Sequence, residues 1–468
     1  MKYEYRSFNE IHSGTISTVY YAEQFEKKTN MKITDVIIKK YINDDNNYII
    51  STLLRETSCL NKINKHKFKH IINVIEIYTD KTEIYIVFEA GGSDLLNSSI
   101  SNSSIDNIIL NIIESMNFIN SIGYIHGDLN FKNIVIKDDM AKIIDFGLST
   151  KNHRKHMINM PAPYVCPHEL KENKFEKNFM ITNVAALDVW MLGCIIYFIL
   201  IGDSVIDPNT LTIKYKEDEY LKMIKRTKHA IITKMLSLNA NTRIGIKKVN
   251  EYYNLTSDYE PFMFEYKYKK TNKHNFDIEP FINHIHNYYN EKVDIETIVL
   301  TIKNLSILYD TNITKNILHD LIICFWLSEK ISRRTNNDNI ESLMKLFEHF
   351  KINITQTKLQ KRVTNICEKL NWDIDPKTAY DYIIFVPEKY KKEYVNMLYD
   401  ITIEYKHSYI NEFIKFATIM TILKLVNTDI KKMINKSIEI GVITESEFIL
   451  NMIDIKLYLQ KCLNCVAV

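Results

Sequence analysis

Apolar and polar positions change rhythm along this chain. Over residues 1–90, short β-branched runs alternate with polar turns. Thr18–Ala22, Asp35–Tyr41, Ile71–Tyr78 and Glu83–Phe88 carry the two-residue period of strands, and Tyr48–Ile63 between them carries a helical one. From about residue 105 the period is mainly helical, broken by a strand pair at Ile134–Ile136 and Ala141–Ile144. Val189–Gly202 is the longest apolar run. A membrane-crossing helix takes about 20 such residues, so the run predicts a buried core helix. The polar, charged stretch over 267–276 suits a linker, and 277–465 hold helical spacing with almost no strand signal, as at Ile298, Ile302, Leu305 and Tyr309.

Composition sharpens this reading. With 10 glycines and 8 prolines in 468 residues, collagen-like and turn-rich all-β architectures are excluded. An aromatic content of 11% excludes disorder of the whole chain. The sums of 60 Lys+Arg and 57 Asp+Glu give +3, too balanced to mark nucleic acid or a membrane as a direct partner. Seven cysteines without framework spacing suit reduced thiols in an intracellular compartment, and MKYEYRSFNE has no signal-peptide core. The expected protein is soluble.

The chemistry concentrates in SIGYIHGDLNFKN (121–133) and the following KIIDFG. A loop carboxylate, an amide shortly after it and an aspartate ending a strand suit magnesium-nucleotide chemistry. Asn133 and Asp145 offer oxygens to a hard cation, leaving Asp128 to orient an attacking hydroxyl and take its proton. HGDLNFKN resembles the catalytic loop of protein kinases, and Asp145-Phe146-Gly147 resembles their D-F-G. That resemblance implies an α+β, bilobal kinase fold over 7–253, with ATP and Mg2+ as cofactors and proteins as substrates. It further implies that Lys39, closing the strand VIIK, holds the nucleotide phosphates and that Glu56 pairs with it. Ile11, Gly14 and Val19 would cover the nucleotide, Glu89 and Gly91 would belong to the adenine-binding hinge, and Asp94 would hold a ribose hydroxyl. Asp188-Val189-Trp190 would open the central helix, and Arg243 would anchor the end of the activation segment.

Several positions depart from the family. His12 and Ser17 replace outer glycines of the phosphate loop, Gly127 replaces the arginine of H-R-D, and Asn130 replaces a lysine. Lys132 would supply the missing catalytic cation; that residue and Pro161 resemble tyrosine kinases. Cys166-Pro167-His168-Glu169 stands for A-P-E with an extra residue. Residues 151–163 contain no serine, threonine or tyrosine, which implies no activation-loop phosphorylation.

The helix ISTLLRE resembles the PSTAIRE helix of cyclin-dependent kinases. Residues 293–310, 313–331 and 366–383 look like the second, third and fifth helices of a cyclin box. This resemblance implies a linker at 254–276, a first box at 277–384 and a second at 385–465, forming an all-α cyclin-like domain. It would contact residues 48–63 of its own chain and activate it for cell-cycle or transcription control; an unrelated helical bundle is the alternative for this half. A pseudokinase scaffold is the alternative for the whole, although Lys39, Asp128, Asn133 and Asp145 are all in place. Cys462 and Cys465 lack a partner pair for zinc, the terminal CVAV only loosely fits a prenylation signal, and the basic run at 153–156 reads as a solvated face.

Overall fold

The computed structural model describes residues 3–14, 16–41, 48–80, 83–154, 156–158, 179–181, 183–205, 225, 228–255, 278–290, 293–310, 317–332, 340–376, 378–403, 412–423, 425, 430–431, 435 and 455. The chain divides into two compact units, Met1–Phe262 and Met263–Val468. Most of the expected linker, the A-P-E counterpart and the two terminal cysteines lie outside the described residues.

The first unit opens on an antiparallel sheet of β1 (Tyr3–Ser13), β2 (Ser17–Glu26), β3 (Lys32–Tyr41), β4 (Val74–Asp80) and β5 (Glu83–Glu89), in the order β1-β2-β3-β5-β4. β1 is absent from the sequence reading. It is a largely exposed edge strand whose register breaks between Arg6 and Asn9 and between Glu10 and His12, so no clean alternation marks it. β4 begins at Val74, because Ile71 only bridges to Ile143 in the lower half of the unit. Along β3 the two-residue period separates two faces. Val36 and Ile38 join Ala22 and Val87 in a buried cluster, covered by Tyr5, Tyr20, Tyr78 and Tyr85. Lys39 and Tyr41 share the opposite face and reach Glu56 of helix α1 (Tyr48–His66).

Below the sheet, α2 (Ile105–Ser121) buries Ile108, Ile109, Ile112, Ile113 and Phe118. A short sheet joins Ser93–Asp94, Ile134–Lys137 and Met140–Ile143. The central helix runs Val184–Ile201, and Asn183 caps it by accepting the Ala186 N–H at 3.3 Å. Asp188 therefore lies a turn inside the helix and does not open it. Gly202, at φ 77°, closes the helix in the left-handed region. By length and composition this helix could cross a membrane, but 72% of it is buried, as the core-helix reading requires.

In the second unit the described residues form helices Glu279–Tyr289, Ile295–Asp310, Ile317–Ser332, Ile340–His349, Gln356–Lys369, Lys391–Ile403 and Glu412–Ile422, with 3-10 turns at Ala379–Phe385 and Glu388–Tyr390. Ile317–Ser332 is buried from Asp320 to Ile331. Cross-links tie it to its neighbours: Arg362 donates to Asp320 at 2.7 and 2.9 Å, and Trp326 Nε1 to Ser342 Oγ at 2.9 Å. The stretch 366–383, expected as one helix, is split. The helix ends at Lys369, Asn371 and Trp372 take positive φ, and a Thr378–Asp381 capping box starts the next turn. Cys59, Cys194, Cys324 and Cys367 are buried thiols.

Candidate active site

Three elements meet at Lys39. Its ammonium bonds Glu56 Oε2 at 2.9 Å, Glu56 Oε1 at 3.1 Å and Asp145 Oδ1 at 2.9 Å. The Tyr41 hydroxyl donates to Glu56 Oε2 as well. Burial works against the lysine's charge, but the Glu56 and Asp145 carboxylates outweigh it and hold the group well above its ordinary value. For Glu56 burial pushes the carboxyl up and Lys39 pulls it back. Against the push of burial, Lys39 keeps Asp145 below the usual carboxylate range.

The loop carrying Asp128 is held from behind. Asp188 accepts the backbone N–H of His126 at 2.7 Å and of Gly127 at 2.9 Å. Gly127 sits at φ 79°, a conformation that costs glycine little and other residues more. Its replacement of arginine thus fits the backbone, whatever it removes in charge. The His126 ring accepts the Asp128 N–H on Nδ1 at 3.2 Å and so donates from Nε2 to the Ile144 carbonyl at 3.0 Å. Burial lowers that imidazole's proton affinity, consistent with the neutral ring. Asn130 accepts the Lys132 N–H at 2.9 Å and donates to the Asp128 carbonyl at 3.1 Å, so it shapes the turn.

Asn133 Nδ2 donates to the Asp128 carbonyl at 2.8 Å and to Asp128 Oδ2 at 3.1 Å. Burial, reinforced by the Asp145 charge, raises Asp128 to about 6. Spending the Asn133 nitrogen on Asp128 leaves its amide oxygen. Lys39 and the Gly147 N–H engage Asp145 Oδ1, which leaves Oδ2. Two hard oxygen donors suit Mg2+, so the residues present fit that ion.

Around the hinge, glycine is required twice. A Cβ on Gly91 would come within 2.7 Å of Val135, and Gly92, at φ +93°, would drive one into the Ile136 carbonyl. Glu89 is tied to Lys142 at 2.5 Å and to the Asn73 N–H at 2.9 Å. Asp94 caps its own turn, accepting the Leu96 and Asn97 N–H groups at 3.0 Å, so a ribose hydroxyl would have to share its oxygens. In the phosphate loop Gly14 N–H closes a turn onto the Ser17 carbonyl at 2.9 Å; Ile11 is 58% exposed and Val19 half-buried.

Lys132 is exposed beside this site. Arg243 donates to the carbonyls of Ala186 at 2.7 Å and Ser237 at 2.9 Å; Glu169, at the segment end it was expected to anchor, is outside the described residues. Within the run read as a solvated face, Arg154 is instead buried, as is nearby Lys151, whose strand Thr150–Lys151 pairs with Tyr124–Ile125. Sequence reasoning missed Tyr41 and the grip of Asp188 on the loop. Only the position of Tyr41, two residues after Lys39 on one strand face, signals the former.

Residues 5–253 match the protein kinase domain family. Over 218 residues, 42% of this chain, it is 29% identical to mouse dual specificity protein kinase TTK and covers 24% of that protein. It is 24% identical over 258 residues to the Arabidopsis thaliana CBL-interacting serine/threonine-protein kinase 13, spanning 51% of this chain and 48% of the relative. To calcium/calmodulin-dependent protein kinase type 1 of Caenorhabditis elegans it is 27% identical over 213 residues, 43% of this chain and 56% of the relative. The chain thus spans from about a quarter to just over half of these relatives' lengths.

Proposed function

Because this chain belongs to the protein kinase family, with its bilobal fold, we propose that it transfers the γ-phosphoryl group of ATP to serine or threonine hydroxyls of protein substrates. The observation that carries the reading is the joint placement of Lys39, Glu56 and Asp145 on one side and Asp128 and Asn133 on the other.

Mg-ATP supplies the phosphoryl group and the cation charge that makes its transfer possible. Lys39, fixed by Glu56, binds and orients the phosphates. Asn133 and Asp145 would hold the cation, each through its remaining oxygen. Asp128 orients the acceptor hydroxyl and takes its proton as the new bond forms, and exposed Lys132 adds positive charge beside it. Glu89 and Gly91 receive the adenine through hinge backbone, while Ile11, Gly14 and Val19 close over the nucleotide.

The second unit is read as cyclin-like, acting on residues 48–63 in cis, with cell-cycle or transcription control as the setting. Its support is the succession of helices, among them Ile317–Ser332, which is buried from Asp320 to Ile331. The Lys–Glu contact pair of cyclins does not carry over cleanly: Lys330 is near the lysine position, but Val363 occupies the expected glutamate position, and both are buried.

Mg-ATP-dependent labelling of generic peptide substrates tests the catalytic reading. The unsubstituted chain should label serine and threonine peptides, and Asp128→Asn should lower turnover by about a thousandfold, since positioning and electrostatics supply most of this catalysis. Equal labelling by the two proteins would overturn the assignment. Labelling of tyrosine peptides alone would reassign the acceptor.

A further inference from the structure

We propose that the Tyr41 hydroxyl is a positioning group: it locks the Glu56 carboxylate in the orientation from which both of its oxygens hold Lys39. The inference rests on the kinase reading for what Lys39 then does.

Strand geometry makes the contact available. Residues two apart on β3 face the same side, so Lys39 and Tyr41 both look toward α1. Tyr41 is 1% exposed, and its hydroxyl bonds Glu56 Oε2, the atom that also takes Lys39 at 2.9 Å. The phenol must be the donor here, since a carboxylate offers only lone pairs and the ammonium only protons. Burial and the Glu56 charge hold its proton affinity well above the ordinary tyrosine value, which keeps the proton on the phenol.

The consequence is an asymmetry between two carboxylates that compete for one lysine. Glu56 holds Lys39 through two oxygens and is anchored by a second donor; Asp145 holds it through Oδ1 alone, and its side chain is 44% exposed. Tyr41 therefore biases the lysine toward Glu56 and leaves Asp145 available for a cation. A phenylalanine there would keep the ring and its packing, including the 5.4 Å approach of the ammonium to the ring centre, and remove only the oxygen.

The test is a double-substitution cycle in the full chain, with Tyr41→Phe, Glu56→Ala and the pair, read by steady-state kinetics and by thermal unfolding. Tyr41→Phe should lower kcat tenfold or more while the KM for ATP moves less than threefold, the pattern of an interaction realised in the transition state. In the Glu56→Ala background it should change kcat less than twofold. Unfolding temperature should fall with Tyr41→Phe in the parent chain, yet hold or rise in the Glu56→Ala background, where the phenol has lost its acceptor. Should Glu56→Ala fail to fold, Glu56→Gln replaces it, with the coupling reduced and not reversed. An unchanged kcat in Tyr41→Phe, or equal losses of unfolding temperature in both backgrounds, would overturn the proposal. If the coupling in unfolding were present but no form of the chain transferred phosphate, the enzymatic reading would fall and the hold of Tyr41 on Glu56 would stand.

Discussion

Around one short loop, burial and charge give neighbouring carboxyls different proton affinities. Asp188, buried among apolar residues of the central helix, is raised to about 7 despite the N–H donors it accepts, and Asp128 to about 6; Lys39 pulls Asp145 the other way. Only an ionised Asp128 can take a hydroxyl proton, so its raised value places the acid limb of catalysis unusually high. As pH falls through about 6 the group protonates, and kcat/KM, which reports the free enzyme, should drop about tenfold per unit below that point. A pH–rate profile flat down to pH 5 would contradict the assignment of the base. At this scale the sequence was legible wherever chemistry itself demands a residue type. Asn133 and Asp145 could be picked out because hard cations need oxygen donors, Asp128 because an attacking hydroxyl needs a base, and Lys39 through the resemblance of VIIK to the kinase strand. Tyr41 could not, because in sequence it is an ordinary strand residue and its role exists only through the face it shares with Lys39. Arg154 was misread for the opposite reason: charge predicts solvent only where no fold closes over it.

Elements with a clear period were found, and those whose pattern is set by tertiary context were not. β2, β3, β5 and α1 show their period because each buries part of itself, whereas β1 lies exposed at an edge and the turn at Asn371–Trp372 interrupts a helix that the apolar spacing alone would continue. The hinge strand Ser93–Asp94 shows how narrowly an element can depend on its approach. It pairs with Ile134–Lys137, and Gly92 just before it combines φ +93° with a Cβ position that falls on the Ile136 carbonyl. Both strain and overlap oppose any side chain there. Gly92→Ala should cost about 3 kcal/mol or more, which for a unit of this size lowers the unfolding temperature by roughly 8 °C. Differential scanning calorimetry would measure it. A shift under about 2 °C would mean that the hinge moves aside at little cost, and that its glycines are not set by the fold.

For the whole molecule the question is what orders the activation segment. In kinases that use a phosphorylated segment, an added phosphate is gripped by arginines, one of them in H-R-D. Here Gly127 stands in that place, at a φ that suits glycine, and residues 151–163 contain no hydroxyl to phosphorylate. Ser149 and Thr150 remain, next to D-F-G and too early for the usual switch, so packing is expected to do its work. Part of the packing is local, since Thr150–Lys151 pairs with Tyr124–Ile125 and Lys151 and Arg154 are buried. Under the cyclin-like proposal the second unit would supply the remainder, a covalent tether keeping an activator at high effective concentration with no separate subunit to recruit. Two outcomes follow from one comparison of purified proteins. Phosphatase treatment of the full chain should leave its peptide-labelling rate unchanged. A fragment 1–265, shown by its unfolding transition to be folded, should label peptides at least about tenfold more slowly than the full chain, the smallest loss consistent with a positioning role for the second unit. A folded fragment as active as the full chain would mean that the kinase unit orders its own activation segment. Residues 277–465 would then serve something other than activation.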